Sequence, residues 1–304
     1  MDLSFFKKTR ILDAGMGQEL LARGLITKGT LWSATSLIDE KFNSLVVDTH
    51  LSSIRAGADV ILTNTFTTRR VRMVQNQVGD LFQFANQKAC ELAIKARELS
   101  KKNILIAGSL PAQNDTYEVD KRDKKIIEKD FFDQASIINS YIDFFYLDVL
   151  SSGREVEIAL NVIHKLNKPV LVGLHLKKNG MLPSGETITE IVKKYKNTKW
   201  LGVVSACVSL EIIEQTVDEL KSLDIPFGFK ANLWAVEEPL PVHRFNTAGY
   251  NEIGKNPNIT LGKREITGKV FCQFAKKISK KGATILGGCC ETDSSHIKEL
   301  SKLK

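Results

Sequence analysis

Two adjacent cysteines, Cys289 and Cys290, follow Gly287 and Gly288 at the end of the apolar run Ala283-Thr284-Ile285-Leu286. A third, Cys207, follows another apolar run, Leu201-Gly202-Val203-Val204-Ser205-Ala206. If both runs are strands of one barrel, three thiols meet at one rim. Three thiolates with one position open make a catalytic zinc site. Neighbouring side chains on a strand point apart, so the pair can share a metal only where the chain turns sharply. Gly287-Gly288 would permit that turn. The alternative is a set of buried, inert thiols, the common state of lone cysteines. That is the reading for Cys90 and Cys272, which fall in helical stretches. For Cys207 with Cys289 and Cys290 the two readings stand level, since the spacing is not a short C-x-x-C pattern.

A three-thiolate zinc would activate water poorly and would suit a fourth soft ligand, a substrate thiol. Coordination removes the proton of a thiol whose free pKa is about 8.5. The chemistry expected of such a site is alkyl transfer onto sulfur, with no separate general base.

The elements that must position these thiols are eight short apolar runs, at 9–13, 58–64, 103–108, 143–148, 168–174, 200–205, 225–230 and 283–286. They are apolar nearly throughout rather than alternating, as strands buried on both faces are. Helical periodicity lies between them, at 45–54, 155–163 and 211–217. Eight strands alternating with helices predict an α/β fold, a (β/α)8 TIM barrel. No Pro/Gly/Ser-rich linker divides the chain, so one domain is expected over 1–304. The connections 14–57, 110–142 and 231–282 are long, which marks them as candidate lids or contacts in a homo-oligomer.

Barrel active sites lie at the C-terminal ends of the strands. The predicted ends carry Asp13, Thr65 with Phe66, Ser109, Asp148, His175, Cys207, Asn232 and the Cys289-Cys290 pair. Asp13 is either a rim carboxylate that holds a substrate ammonium or a turn residue after the first strand.

Composition narrows the setting. The chain has 304 residues, 43% hydrophobic and 26% charged, ordinary for a soluble protein. No apolar run approaches the roughly 18 residues of a membrane span, and the N-terminus lacks the pattern of a secretory signal. Five cysteines without a small-scaffold spacing point to a reducing compartment, the cytoplasm. The net charge of +8 is spread through lysine-rich stretches such as 121–125 and 276–281. Without interleaved aromatics these read as solvated faces rather than a nucleic-acid surface.

Gly287-Gly288-Cys289-Cys290, preceded by Gly282-Ala283 and followed by Ser295-His296-Ile297, resembles the C-terminal signature of zinc-dependent homocysteine S-methyltransferases. Leu12-Asp13-Ala14-Gly15-Met16-Gly17-Gln18-Glu19-Leu20 is similar to that family's opening motif, D-G-G-M-G-x-x-L. The segment Ala56 to Phe66 is similar to its second-strand motif, and Leu31-Trp32-Ser33-Ala34 also fits. The four motifs run collinearly from about residue 10 to 300.

The resemblance implies a barrel, with Zn2+ on Cys207, Cys289 and Cys290 and homocysteine held by Asp13 and Asp148. It implies methyl transfer from a small sulfonium or betaine donor, with methionine as product. S-adenosylmethionine is the next donor. Another acceptor thiol, or a non-catalytic zinc or thiol-redox barrel, are the alternatives; the rim acids argue against the last. Trp32, Phe66 and Trp234 are candidates to face the onium group, each equally readable as packing. Ser109 and Asn232 are candidates for the amino-acid carboxylate, Thr65 for a neighbouring substrate contact, and His175 for a polar cavity residue.

The sequence departs from the family pattern at several places. Asp148 stands for the usual Glu and Ala206 for an Asn before the sixth-strand cysteine. Ala14 replaces the second Gly of the opening motif, and Ala231-Asn232 stands for Pro-Asn. Glu291-Thr292-Asp293-Ser294 replaces Gly-Thr-Thr-Pro. Thr67 stands where the betaine-using branch has an aromatic.

Overall fold

The computed structural model describes residues 2–196, 199–256 and 258–304. All eight apolar runs are strands: β1 (Arg10–Ile11), β2 (Val60–Leu62), β3 (Leu105–Pro111), β4 (Phe144–Leu150), β5 (Val170–Leu174), β6 (Trp200–Val208), β7 (Phe227–Ala231) and β8 (Ile285–Gly288). They pair in parallel in the order β1-β8-β7-β6-β5-β4-β3-β2. A single parallel bridge between Leu12 and Val60 closes the sheet on itself. Two carboxylates reinforce that joint: Asp59 Oδ2 accepts from the Ile11 N–H at 2.8 Å, and Asp13 Oδ2 from the Leu62 N–H at 2.7 Å. The result is the expected (β/α)8 barrel.

The helices are α1 (Met16–Ala22), α2 (Thr35–Ile38), α3 (Asn43–Ala56), α4 (Arg70–Gln75), α5 (Phe82–Ser100), α6 (Lys124–Ile138), α7 (Gly153–Leu166), α8 (Ile188–Tyr195), α9 (Leu210–Lys221), α10 (Gly268–Lys280) and α11 (Ser294–Leu300). Helix α3 and helices α5 to α11 form the outer ring, each against the next, and α11 returns to α3. Ser152, Thr187, Ser209, Thr267 and Asp293 cap five of these helices with side-chain oxygens, each cap contributing about 1 kcal/mol. Among the described residues, no helix is long and apolar enough to cross a membrane.

The strands are apolar on both faces because the outward face meets the helices and the inward face fills the barrel. In β4, Phe145 and Leu147 join the outer core, while Phe144 and Tyr146 join the inner one. The inward row changes character along the strand, from Phe144 to Tyr146 to the acid Asp148. At the other end Phe6 plugs the barrel, edge-on to Phe144 with ring centroids 5.8 Å apart.

Two strands, β4 and β6, are irregular near their C-terminal ends. The register slips between Leu147 and Leu150 in β4, and between Ala206 and Val208 in β6. The residues inside the slips, Val149 (φ 65°) and Cys207 (φ 52°), have left-handed backbones. Both are bulges, which insert one residue and re-aim the side chain. Strands 4 and 6 therefore run past the ends expected for them, to Leu150 and Val208.

Candidate metal centre

Cys207 sits in the β6 bulge, where its left-handed backbone costs on the order of 1–3 kcal/mol. The Asn232 side-chain amide donates to the Cys207 carbonyl at 2.8 Å. The Cys289 N–H donates to the Ala231 carbonyl at 2.7 Å, and the Leu233 N–H to the Cys290 carbonyl at 3.0 Å. Thus the ends of β6, β7 and β8 are tied to one another around the thiols.

Gly287 and Gly288 do not make the sharp turn expected of them. Both lie within β8 and neither has a positive φ. They supply room instead: a Cβ on Gly288 would lie 2.1 Å from Thr292 Oγ1, and one on Gly287 2.8 Å from Leu12 Cβ. The turn comes after the pair, at Glu291 (φ 63°), where the Thr292 N–H donates back to the Cys289 carbonyl at 3.2 Å.

The three sulfurs lie within 4.8 Å of one another, and Cys207 Sγ is 3.8 Å from Cys290 Sγ. All three cysteines are free thiols. A tetrahedral zinc with bonds of about 2.3 Å sets its sulfurs about 3.8 Å apart, so the donor set fits a metal of that kind. Burial alone would raise the Cys207 thiol, but hydrogen bonds from Cys289, Cys290 and Tyr117 hold it well below its ordinary range. Cys289 and Cys290 are pushed up, chiefly by their hydrogen bonds to Cys207. A divalent ion bound there would expel the remaining thiol protons.

Beside the thiols lies a second group. Asp13 Oδ1 accepts from Lys230 Nζ at 2.7 Å, with both side chains buried. Ser109 Oγ donates to Asp148 Oδ2 at 2.7 Å. Asp148 Oδ1 has no protein donor among the described residues. Burial, then the charge of Cys289, pushes Asp148 up to about 7, against the pull of Lys230 and the Ser109 bond.

Asp13, Ser109, Asp148, Trp32, Phe66, Trp234 and the three cysteines all line one cavity of about 100 Å³. Thr65 and Asn232 do not line it. Thr65 Oγ1 donates to the Ser109 carbonyl at 2.5 Å and shares a hydrogen bond with Thr63 Oγ1, so it braces the wall from behind. Asn232 holds the Cys207 backbone, as described. His175 lies behind Tyr117, ring centroids 4.5 Å apart, and burial pushes it down to about 4, so it is neutral. The opening motif works through close approach. A Cβ on Gly15 would lie 2.3 Å from the Cys289 carbonyl oxygen, and one on Gly17 2.3 Å from the Trp32 indole.

Four ionisable lining residues went unnoticed in the sequence. Tyr117 Oη lies 3.4 Å from Cys207 Sγ, but nothing in its loop's composition marks it. Lys230 carried a usable signal, a lone charge inside the apolar run Phe227-Gly228-Phe229-Lys230-Ala231. Arg69 and Arg72 belong to the basic run Arg69-Arg70-Val71-Arg72, whose composition does not set them apart; they are 1% and 6% exposed.

The sequence model of homocysteine S-methyltransferases matches residues 10–303. Betaine–homocysteine S-methyltransferase 1 of Danio rerio is 26% identical over 300 residues, spanning 95% of this chain and 71% of the relative. Homocysteine S-methyltransferase 2 of Saccharomyces cerevisiae is 23% identical over 330 residues, spanning 97% and 94%. In three dimensions the chain is similar to the metallated homocysteine methyltransferase MmuM from Escherichia coli, with TM-score 0.77, 19% identity and coverage of 98% and 96%. The structural likeness bears on the fold, while the family match extends over the motifs that carry the thiols, and on that ground the chain belongs to the homocysteine S-methyltransferase family.

Proposed function

We propose that this chain is a zinc-dependent enzyme that moves a methyl group from a small sulfonium or betaine donor to homocysteine, forming methionine. The observation that carries this reading is the thiol cluster itself: three sulfurs at zinc-like separation, opening onto a cavity that also holds acids. Cys207, Cys289 and Cys290 would hold the metal. Bound there, zinc would lower the pKa of a substrate thiol so that its thiolate is present at neutral pH.

The remaining work belongs to the protein. Asp148, with one oxygen uncommitted, and Asp13 beside it receive the homocysteine ammonium through charge-assisted hydrogen bonds. Tyr117 donates to the Cys207 sulfur and holds that ligand in place. Trp32, Phe66 and Trp234 shield the donor from water and offer ring faces to its positive head. The homocysteine sulfur forms a bond to the methyl carbon as the bond from that carbon to the donor heteroatom breaks. The electron pair returns to the heteroatom, so the donor leaves neutral and no proton moves in the transfer. Alignment of the two substrates supplies much of the rate.

The test is a donor panel against homocysteine with methionine as readout, on protein of measured zinc content. The panel is glycine betaine, dimethylsulfoniopropionate, S-methylmethionine and S-adenosylmethionine. Methionine from a small onium donor, with about one zinc per chain, is expected. Fully metallated protein that forms methionine from none of them would overturn the reading, and turnover from S-adenosylmethionine alone would overturn the donor class.

A further inference from the structure

We propose that Arg69 and Arg72 form an anion-binding wall of the cavity that holds the carboxylate of the methyl donor and so selects it. The proposal rests on the methyl-transfer reading and names two residues that select the donor. Arg69 caps the start of α4 and Arg72 lies three residues on, so the two side chains share one side of the helix. Both line the cavity and both are buried.

Their charges are not balanced from within. Arg69 Nη1 donates to the Ala112 carbonyl at 2.7 Å and to Thr116 Oγ1 at 3.1 Å, while its buried Nε has no acceptor. Among the described residues no carboxylate lies within 4.0 Å of Arg69, and Arg72 makes no side-chain hydrogen bond. The carboxylate nearest Arg72 is Asp115, with Nη2 and Oδ1 3.9 Å apart. Asp115 is engaged elsewhere: it accepts from the Thr116 and His243 N–H groups and pairs with the His243 ring at 2.6 Å. The neighbouring arginines show the ordinary solution. Arg70 pairs with Asp133, and Arg122 with Asp120 and Asp130.

Two guanidiniums facing one distant, committed carboxylate leave a positive wall, and burial followed by the charge of Arg72 pushes Arg69 down to about 9. The Phe66 ring, 5.4 Å from the Arg69 guanidinium carbon, faces that charge but supplies no anion, and a buried charge without a close counter-ion is costly, so the missing anion is expected from a ligand. A guanidinium fork matches a carboxylate in shape. The wall is also tied to the thiols: Thr116, which anchors Arg69, adjoins Tyr117, whose hydroxyl lies 3.4 Å from Cys207 Sγ. The cavity lining thus carries both signs of charge, the thiols, Asp13 and Asp148 on the one hand and the arginines on the other. An onium carboxylate fits that lining. Under the methyl-transfer reading the homocysteine ammonium already has its partners in Asp13 and Asp148.

The test uses matched donors with homocysteine as acceptor: dimethylsulfoniopropionate against trimethylsulfonium, and glycine betaine against tetramethylammonium. The wild-type protein should favour each carboxylate-bearing donor by roughly tenfold or more in kcat/KM. Arg69→Gln and Arg72→Gln should each raise KM for that donor, leave the homocysteine KM and zinc content unchanged, and erase the discrimination. Arg72→Gln breaks no protein hydrogen bond, which separates the effect from misfolding. Equal use of trimethylsulfonium, or a raised homocysteine KM with the donor KM unchanged, would overturn the assignment to the donor. Binding of glycine betaine and dimethylsulfoniopropionate, followed by fluorescence of Trp32 and Trp234, judges the wall without turnover. Binding that is lost in Arg72→Gln supports it, and binding that persists undiminished sinks it, even if the methyl-transfer reading has itself failed in the donor panel.

Discussion

Two arcs of the barrel face the same cavity and are built by different means. The arc from β6 to β8 sets its three cysteines chiefly with main-chain devices: a bulge at Cys207, the Cys289 N–H on Ala231, and the Cys290 carbonyl under Leu233, with side-chain braces from Asn232 and Thr292. The arc after β2 and β3 sets Arg69, Tyr117 and Ser109 with side-chain bonds on loops and strand ends. Main-chain bonds are indifferent to residue type, so the first arc can keep its geometry while the sequence around it drifts. Side-chain bonds change with each substitution, so the second arc is where related chains can diverge in the molecule they accept. Asp13 and Lys230 join the two.

The largest effect should come from the first arc. Cys207→Ala removes a ligand held at a strained bulge, and activity should fall by more than about a hundredfold together with zinc content. An active, fully metallated variant would erase the distinction between the arcs.

Next is the joint. Lys230→Met leaves Asp13 buried without its cation and should cost about 3–5 kcal/mol in denaturant unfolding. Adding Asp13→Asn should recover most of that loss. Asp13→Asn alone should raise the apparent homocysteine KM with zinc retained. Strict additivity of the two substitutions would show that the pair is not one unit.

A smaller effect is expected at Tyr117. Tyr117→Phe removes one hydrogen bond to sulfur, worth about 1 kcal/mol. Zinc should stay bound, and in metal-free protein the thiolate of Cys207 should titrate at higher pH, read by its ultraviolet absorbance. An unmoved titration would place the hydroxyl outside the cluster's electrostatics.

The last is a control outside both arcs, where the effect on the site is expected to be nil. Burial pushes Glu155, at the start of α7, up to about 8 from an ordinary 4.5, against its bond from Ser152. The fold therefore favours the protonated acid. That contribution is full below the ordinary value and is lost as pH rises through about 8. Glu155→Gln should flatten the fall in thermal stability over that window without altering zinc content or turnover. An unchanged pH profile would remove Glu155 as its source.

All eight strands were legible because a run buried on both faces needs apolar residues at every position, and that survives in composition. The bulges were not legible. A register slip depends on which partner carbonyl each N–H finds, and Leu147–Leu150 and Ala206–Val208 read as plain strand and strand end. The cysteines, Asp13 and Asp148 stood out by type and place. The glycines before the pair were read for flexibility, when what mattered was the side chains of Thr292 and Leu12 pressed against them. Arg69 and Arg72 were hidden for a different reason. Their neighbour Arg70 is a surface residue of the ordinary kind, 37% exposed at its side chain, and local sequence does not separate a buried arginine from an exposed one.

The joint between β1 and β2 has a consequence for measurement. One bridge and two carboxylates hold it, and one of those carboxylates, Asp13, is also the proposed contact for the substrate ammonium. The Leu62 amide proton is consequently a natural reporter. Its exchange with deuterium is governed by the grip of Asp13 on the seam, so an isotope-exchange experiment can watch the cavity fill from the opposite side of the same carboxylate, in a protein that carries no label and turns nothing over.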